Sequence, residues 1–412
     1  MRIIHTADWH IGQTLRGYPR EHEHRAVLDE LVRVVAEREA DALIVAGDVF
    51  DGQNPSGESQ RLFYETLVKL HKARLGLQIV ITAGNHDAAG RIEAPKALLE
   101  GIGAHVVGNV RRVDGKIAAA RHVIPLRAAD GQIAAHVLAV SYPTAACLPA
   151  VEKAEDGSWV MRATKALYDE LAEAARPSTA GLPLIATGHL HVSGGIESEG
   201  AERRILVGGQ HAVPPDVFPE DASYVALGHL HKAQTFAGDR VRYSGSLMPL
   251  SATELPYKHG VTLLTLEGEG VTSIEHIELQ RPVPFIRLPA TGEVRLDELG
   301  DHLKALDLDA DLPVDYRPFV QVRLSPEGLG SGHRAEADRI AESFPVRIVD
   351  YKVGTRAEST AATEAQAPIV RLAERAPEDL FRDAYRRLHG EEPDARHRDV
   401  FHQALAPAGA EA

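Results

Sequence analysis

Apolar positions along this chain fall into two alternating kinds of segment. Residues 2–7, 41–46 and 77–82 are short, nearly continuous apolar runs rich in Ile, Val and Ala, the pattern of buried strands. Between them, residues 21–38 place Ala26, Val27, Leu31, Val34 and Val35 at helical spacing among charges, and residues 58–75 repeat that amphipathic pattern. Strand–helix–strand–helix–strand predicts a layered α/β domain with right-handed crossovers. Further strands are expected at 104–107, 122–126, 133–140, 182–186 and 224–227, with a helix at 161–175 closed by Arg176-Pro177. Residues 241–246, 261–266 and 274–279 read as strands of one antiparallel sheet completing a sandwich.

Past Arg281-Pro-Val-Pro the pattern changes. Strands at 285–288, 319–324 and 346–353 alternate with helices at 296–306 and 334–343, a small α+β unit. Residues 354–367, full of Ala, Thr, Glu and Ser, read as a linker. Two short amphipathic helices follow, at 377–388 with Leu380, Phe381, Ala384, Tyr385 and Leu388 on one face, and at 393–405 with Val400, Phe401 and Leu405. Helices this short cannot bury their apolar faces fully on each other. They would dock into a partner's groove or back onto the chain's own domains. The expected division is 1–280, 281–353, the linker 354–367 and a helical tail at 368–412.

Composition narrows the class. A chain of 412 residues is too long for one compact core and suggests two or three domains. Its hydrophobic fraction of 44% and charged fraction of 25% belong to a soluble globular protein. No apolar run approaches a membrane span, and residues 1–4 lead straight into a strand, so neither a membrane segment nor a signal peptide is expected. The single cysteine, Cys147, permits no internal disulfide and no thiolate metal site, which fits a reducing cytoplasm. A net charge of −14 argues against non-specific nucleic-acid binding by the whole surface. A local basic groove or a metal-centred phosphate site remains compatible with it.

The chemistry-bearing residues gather where apolar runs stop. Asp8-Trp-His10 follows the first run, Gly47-Asp48 the second and Gly84-Asn-His-Asp87 the third. Gly-His-Leu-His appears twice, at 188–191 and 228–231, each time directly after a strand. α/β folds place ligands at such carboxyl ends. Residues two apart on extended chain point to one side, so Asp8 and His10 are expected to reach one ion together. Asp-x-His alone is weak, with about one chance match in a chain of this length, whereas Gly-Asn-His-Asp arises roughly once in several hundred such chains. His22 and His24, on the first helix, are expected to be solvated.

Asp8, His10, Asp48, Asn85, His189, His229 and His231 form an oxygen-and-imidazole donor set that favours Mn²⁺ or Mg²⁺, with Zn²⁺ or Fe also compatible. The set is too large for one ion and suits two, with Asp48 as the natural bridge. Two ions about 3.5–4 Å apart can activate a water and stabilise the leaving oxygen of an in-line phosphoryl displacement. His86, beside Asn85, is left for transition-state stabilisation or protonation of the leaving group.

This ordered set resembles the calcineurin-like metallophosphoesterases. The segments Ile4-His-Thr-Ala-Asp-Trp-His-Ile-Gly12, Ala46-Gly-Asp-Val-Phe-Asp51, Thr82-Ala-Gly-Asn-His-Asp87, Ala186-Thr-Gly-His-Leu190, Tyr224-Val-Ala-Leu-Gly-His-Leu-His-Lys232 and Val241-Arg-Tyr-Ser-Gly-Ser246 are similar to the SbcD family of bacterial nuclease subunits. The similarity spans roughly residues 1–279 with specific motifs and the rest more loosely. It implies a four-layer α/β/β/α sandwich with a smaller α+β capping domain. One Mn²⁺ would be held by Asp8, His10, Asp48 and His231, and a second by Asp48, Asn85, His189 and His229, with His86 catalytic. The implied activity is 3′-to-5′ exonuclease on duplex DNA ends and endonuclease on single strands and hairpins, in DNA repair and recombination at the cytoplasmic nucleoid. The implied partners are an SbcC-type ATPase, bound by the tail helices, and a second copy of the chain, giving a homodimer within a heterotetramer. Helices near 26–35 or 63–70 are candidates for the dimer contact, with nothing in their pattern to separate a dimer face from a core face. No Gly-x-x-x-x-Gly-Lys-Ser/Thr occurs in the sequence, so ATP binding would come from the partner.

At the first Gly-His-Leu-His the resemblance matches His189; for His191 an alternative ligand, a partner of a ligand and a surface residue are open, the last being the expectation. Asp51 stands where archaeal relatives tend to carry a histidine, so no role transfers to it. Two other readings compete. One is a phosphoesterase for cyclic nucleotides, phosphoproteins or small phosphate esters, which cleavage of a small phosphodiester but not DNA would reveal. The other is a non-catalytic scaffold, which would have degraded ligands.

Overall fold

Side chains on the central strands alternate between two apolar interiors, and that alternation sets the layers. The computed structural model describes residues 1–152, 159–179, 181–198, 212–268, 270–330 and 332–354, with 381–382, 385, 393–394, 396–398 and 401. β1 (Arg2–Thr6) sends Ile4 into one interior and Ile3 into the other. β2 (Ala42–Ala46) divides Leu43 and Val45 from Ile44, and β3 (Gln78–Thr82) divides Ile79 and Ile81 from Val80. The chain continues through β4 (Ala104–Val107), β5 (Val123–Arg127), β6 (Ile133–Leu138), β7 (Leu184–His189) and β8 (Ala222–Gly228). β9 (Gln234–Phe236), β10 (Val241–Tyr243), β11 (Gly260–Glu267) and β12 (Gly270–Glu278) follow.

These strands make two 6-stranded sheets, ordered β12-β11-β1-β2-β3-β4 and β9-β10-β8-β7-β6-β5. β1 to β4 run parallel, as do β6, β7, β8 and β10. Helices α1 (Glu21–Glu37) and α2 (Gly57–Ala73) cover the first sheet with Val27, Leu31, Leu62, Phe63 and Leu67. α3 (Trp159–Thr179) covers the second with Leu167, Tyr168 and Leu171. Ile3, Ile44, Val80, Val137, Ile185 and Tyr224 fill the space between the sheets. The architecture is therefore a four-layer α/β/β/α sandwich, and the carboxyl ends of β1, β2, β3, β7 and β8 all open onto one region.

Several local expectations change. The strands expected at 241–246 and 261–266 do not share one sheet: β10 joins the second sheet parallel to β8, whereas β11 pairs antiparallel with β1 in the first. Periodicity shows that a segment is extended but not which neighbour it pairs with. α3 runs through Pro177 to Thr179 instead of stopping before it, since a proline in the last turn forfeits only one backbone bond. His24 is buried, not solvated. Its Nδ1 lies 3.0 Å from the carbonyl of Arg20, and burial pushes its pKa down to about 3, keeping the ring neutral. His22 is half-buried against the ring of Tyr316.

β13 (Phe285–Leu288), β14 (Phe319–Leu324) and β15 (Arg347–Val353) form a separate 3-stranded parallel sheet. Helices α4 (Leu299–Lys304) and α5 (His333–Ala341) pack Leu299, Leu303, Ala337 and Ala341 onto its Val320 and Val322. The loop that leaves His10 is tied to this sheet. Leu15 packs with Val283, Phe285 and Phe319, and Arg16 pairs with Asp338 at 2.9 Å while lying 5.1 Å from the Tyr351 ring centroid.

By contacts the chain divides into Met1–Thr355 and Arg356–Ala412. Most of the linker expected at 354–367 and of the helices expected at 377–388 and 393–405 lies outside the described residues. Within the second unit, Phe381 and Phe401 stack with ring centroids 4.3 Å apart. Among the described residues no helix is long and apolar enough to cross a membrane.

Candidate metal centre

The donors converge by a different route from simple strand alternation. β1 ends at Thr6, and both Asp8 and His10 lie beyond it in the left-handed region, at φ 54° and 45°. Asp48 (φ 49°) and His229 (φ 102°) are likewise left-handed just past β2 and β8. Such conformations are costly for residues with side chains and gather at functional sites. Backbone bonds hold the turns, with Asp8 N donating to Gly47 O at 3.1 Å and His10 N to Asp48 O at 3.0 Å. Two glycines permit the close approach. A Cβ on Gly47 (φ 89°) would run into the His189 ring, and one on Gly84 into the Asp48 carboxylate.

All the sequence-predicted donors meet there. Ligand atoms of Asp8, His10 and His231 lie within 4.8 Å of one another, as do those of Asp8, Asp48 and His189. Asp48 Oδ2 is 3.5 Å from His10 Nε2 and 3.2 Å from His189 Nε2, so this carboxylate stands between two groups of donors. On the far side Asn85 Oδ1 is 3.0 Å from His189 Nε2 and 3.3 Å from His229 Nδ1. The histidines of 228–231 are thereby divided: His229 joins Asn85 and His189, while the His231 ring is 5.2 Å from that of His10. His86 Nε2 sits 4.0 Å from Asp48 Oδ2, within the span that would let it join His10 and Asp48 on an ion.

A cation fits this place. Asp8 Oδ2 and His10 Nε2 are buried without a hydrogen-bond partner, a costly condition that a metal would relieve. Burial pushes the Asp8 carboxyl up, opposed by His189 and His231. Burial also works against charge on Asp48, but the His189 ring, with His10 and His86, holds that carboxyl well below the usual range. His189 is in turn raised to about 9 against its own burial, chiefly by Asp48. Burial, and then the charge on His189, drive His229 well down. Positive charge is thus favoured beside Asp48, a condition that a divalent ion would meet.

Second partners aim the rings. His189 Nδ1 meets Ala46 O at 2.9 Å, His86 Nδ1 meets Asp51 O at 2.7 Å and His10 Nδ1 lies 3.2 Å from Asp51 Oδ1. His231 Nδ1 is 2.9 Å from Glu254 Oε1. Each arrangement leaves Nε2 facing the cluster. Asp87 accepts from the backbone N–H groups of Val49, Phe50 and Gly84, locking the two loops that carry Asp48 and His86 together. Burial, then Asp48, push its carboxyl up to about 6.

Sequence reasoning left Asp51, Asp87 and Glu254 without roles. Asp87 had a signal in its motif; Glu254 had none. His191 is largely but not fully buried: its side chain is 12% exposed, Nδ1 lies 3.0 Å from Glu197 and its ring is 6.4 Å from that of His229.

The family model described as calcineurin-like phosphoesterase matches residues 1–233, and one described as type 5 capsule protein repressor C-terminal domain matches 281–388. The chain is 49% identical over 388 residues to the SbcD subunit of the nuclease SbcCD of Rhodobacter capsulatus, covering 93% of this chain and 94% of that protein. To the Bacillus subtilis protein of the same name it is 34% identical, covering 75% of this chain and 78% of that one. To the Escherichia coli protein it is 30% identical, with 85% and 84% covered.

Proposed function

The chain belongs to the SbcD family of calcineurin-like phosphoesterases, metal-dependent phosphodiesterases, and on that premise we propose that it is a Mn²⁺-dependent DNA nuclease subunit. Its substrates are duplex ends, cut as a 3′-to-5′ exonuclease, and single-stranded or hairpin DNA, cut as an endonuclease. The observation that carries the reading is the Asp48 carboxylate standing between two donor groups, with His86 beside it.

In this reading Asp8, His10, Asp48 and His231 hold one ion and Asp48, Asn85, His189 and His229 the other. Both would be Mn²⁺, with Mg²⁺ as the substitute. When bound, the ions supply Lewis-acid activation of a water and neutralise charge developing on the phosphate. The protein's own part is positional. Asp87 fixes the loops carrying Asp48 and His86, and the Asp51 carbonyl holds His86 so that Nε2 faces the cluster. From that nitrogen His86 donates a proton to the sugar oxygen as the P–O bond breaks.

Digestion of labelled duplex and hairpin DNA with Mn²⁺, Mg²⁺ or chelator tests this reading. Cleavage is expected with Mn²⁺ and none with chelator; hydrolysis of a small phosphodiester without any DNA cleavage would overturn it. The unit over 281–353 is assigned as a cap that selects DNA shape, and the tail at 368–412, beyond the linker 354–367, as the docking segment for an SbcC-type ATPase. The working assembly is a heterotetramer around a homodimer of this chain. Deleting residues 366–412 should spare Mn²⁺-dependent cleavage and abolish association with the ATPase. Undiminished co-purification of the truncated chain would rule the tail assignment out.

A further inference from the structure

We propose that Glu254 is a positioning residue for the metal centre: its carboxylate fixes the ring of His231 with Nε2 turned toward Asp8 and His10. The inference rests on the reading of His231 as a metal ligand and assigns a role to a residue outside every strand-end motif. Glu254 ends a short 3-10 turn, Ala252–Glu254, and is completely buried. Its Oε1 lies 2.9 Å from His231 Nδ1.

The carboxylate is itself held so that it cannot swing away. Oε2 accepts from the N–H of Leu250 at 2.9 Å, and Oε1 accepts a further bond from the Ser251 hydroxyl at 3.2 Å. The Leu250 carbonyl accepts from Gln13 Nε2 at 2.6 Å, tying this turn to the loop that leaves His10. The Glu254 carbonyl is 3.2 Å from His259 Nε2, whose other nitrogen is 3.0 Å from the Ser246 hydroxyl. His231 therefore meets a rigid, dry acceptor. An imidazole that donates from Nδ1 carries its lone pair on Nε2, the form a metal needs.

Both Glu254 oxygens already accept hydrogen bonds, which makes glutamine an informative replacement. An amide has one oxygen and one NH₂. In either orientation it must set a donor against the Leu250 N–H or turn His231 Nδ1 into an acceptor. The second outcome moves the ring proton to Nε2, where it blocks a ligand.

The test is a Mn²⁺ titration of the full-length chain, followed by the paramagnetic resonance signal of free Mn²⁺, with ¹⁵N spectra of the metal-free protein reporting the His231 tautomer. Glu254→Gln should weaken one of the two ions about tenfold to hundredfold, leave the other near its wild-type affinity and shift the His231 nitrogen resonances. Ser246→Ala, which breaks the same buried network without touching His231 side-chain atoms, should lower the melting temperature and leave both ions bound. His231→Ala serves as the reference and should lose one ion. If His231→Ala keeps both ions, the ligand reading falls and this proposal with it. If His231→Ala loses one while Glu254→Gln keeps both at wild-type affinity, the positioning role alone is overturned. Equal weakening of both ions in Glu254→Gln and Ser246→Ala would likewise overturn it, since the residue would then only support the fold.

Discussion

Replacing His86 by alanine should abolish phosphodiester cleavage while both ions remain bound. The ring is buried, its Nδ1 tied to the Asp51 carbonyl and its Nε2 4.0 Å from Asp48 Oδ2. It is the imidazole at the cluster that the proposed ligand sets leave over. General acid catalysis contributes about 10²–10⁴-fold, so a loss of at least ~10³-fold in turnover is expected when proton donation and charge stabilisation go together. DNA binding and Mn²⁺ stoichiometry should stay near wild type, because the neighbouring ligands keep their own partners. Single-turnover cleavage of a labelled duplex, alongside a metal titration, checks both halves. The proximity of His86 to His10 and Asp48 makes this a sharp test. A variant that binds one ion fewer would show His86 to be a ligand, and the assigned role would be wrong.

Asp48→Ala should empty both metal positions together. Asp48 Oδ2 lies within reach of His10 on one side and His189 on the other, so one carboxylate serves both groups. Its removal also takes away the group that chiefly raises His189, so that burial then favours the neutral ring. His86 N would lose its acceptor too, since it donates to Asp48 Oδ1 at 2.8 Å. Metal content after dialysis should fall from two ions to none, and nuclease activity should vanish with it. Asp48→Asn, which keeps the shape and one oxygen, separates the effects: it should fold with a smaller loss of melting temperature yet still fail to hold both ions. A crystal of Asp48→Ala containing two ions at the cluster would exclude the bridge.

The candidate donors could be found in the sequence because each is attached to a locally readable feature. An apolar run followed by a polar, glycine-containing turn marks a strand end, and Asp8, Asp48, Asn85, His189 and His229 all stand at such places. How they converge was legible only in part. Extended alternation would carry Asp8 and His10 to one side, but left-handed turns at both residues deliver them instead. The twin Gly-His-Leu-His segments read alike and act differently. In the second both histidines enter the cluster, on opposite sides of it, whereas in the first His191 turns to Glu197.

Sequence alone determined the layered α/β class, the strand-end placement of the candidate donors and the further strands and helices past residue 281, because periodicity and turn chemistry act over a few neighbouring residues. Tertiary structure decided which strands share a sheet, why His24 is buried and which nitrogen of each histidine faces inward. Those outcomes depend on pairs far apart in the chain. Asn85 meets His189 across 104 positions, the His229 N–H meets Asp8 across 221, and Glu254 reaches His231 across 23. No local pattern encodes such meetings. They arise when two sheets pack face to face and bring their carboxyl ends to one edge, where buried carboxylates and imidazoles must satisfy one another.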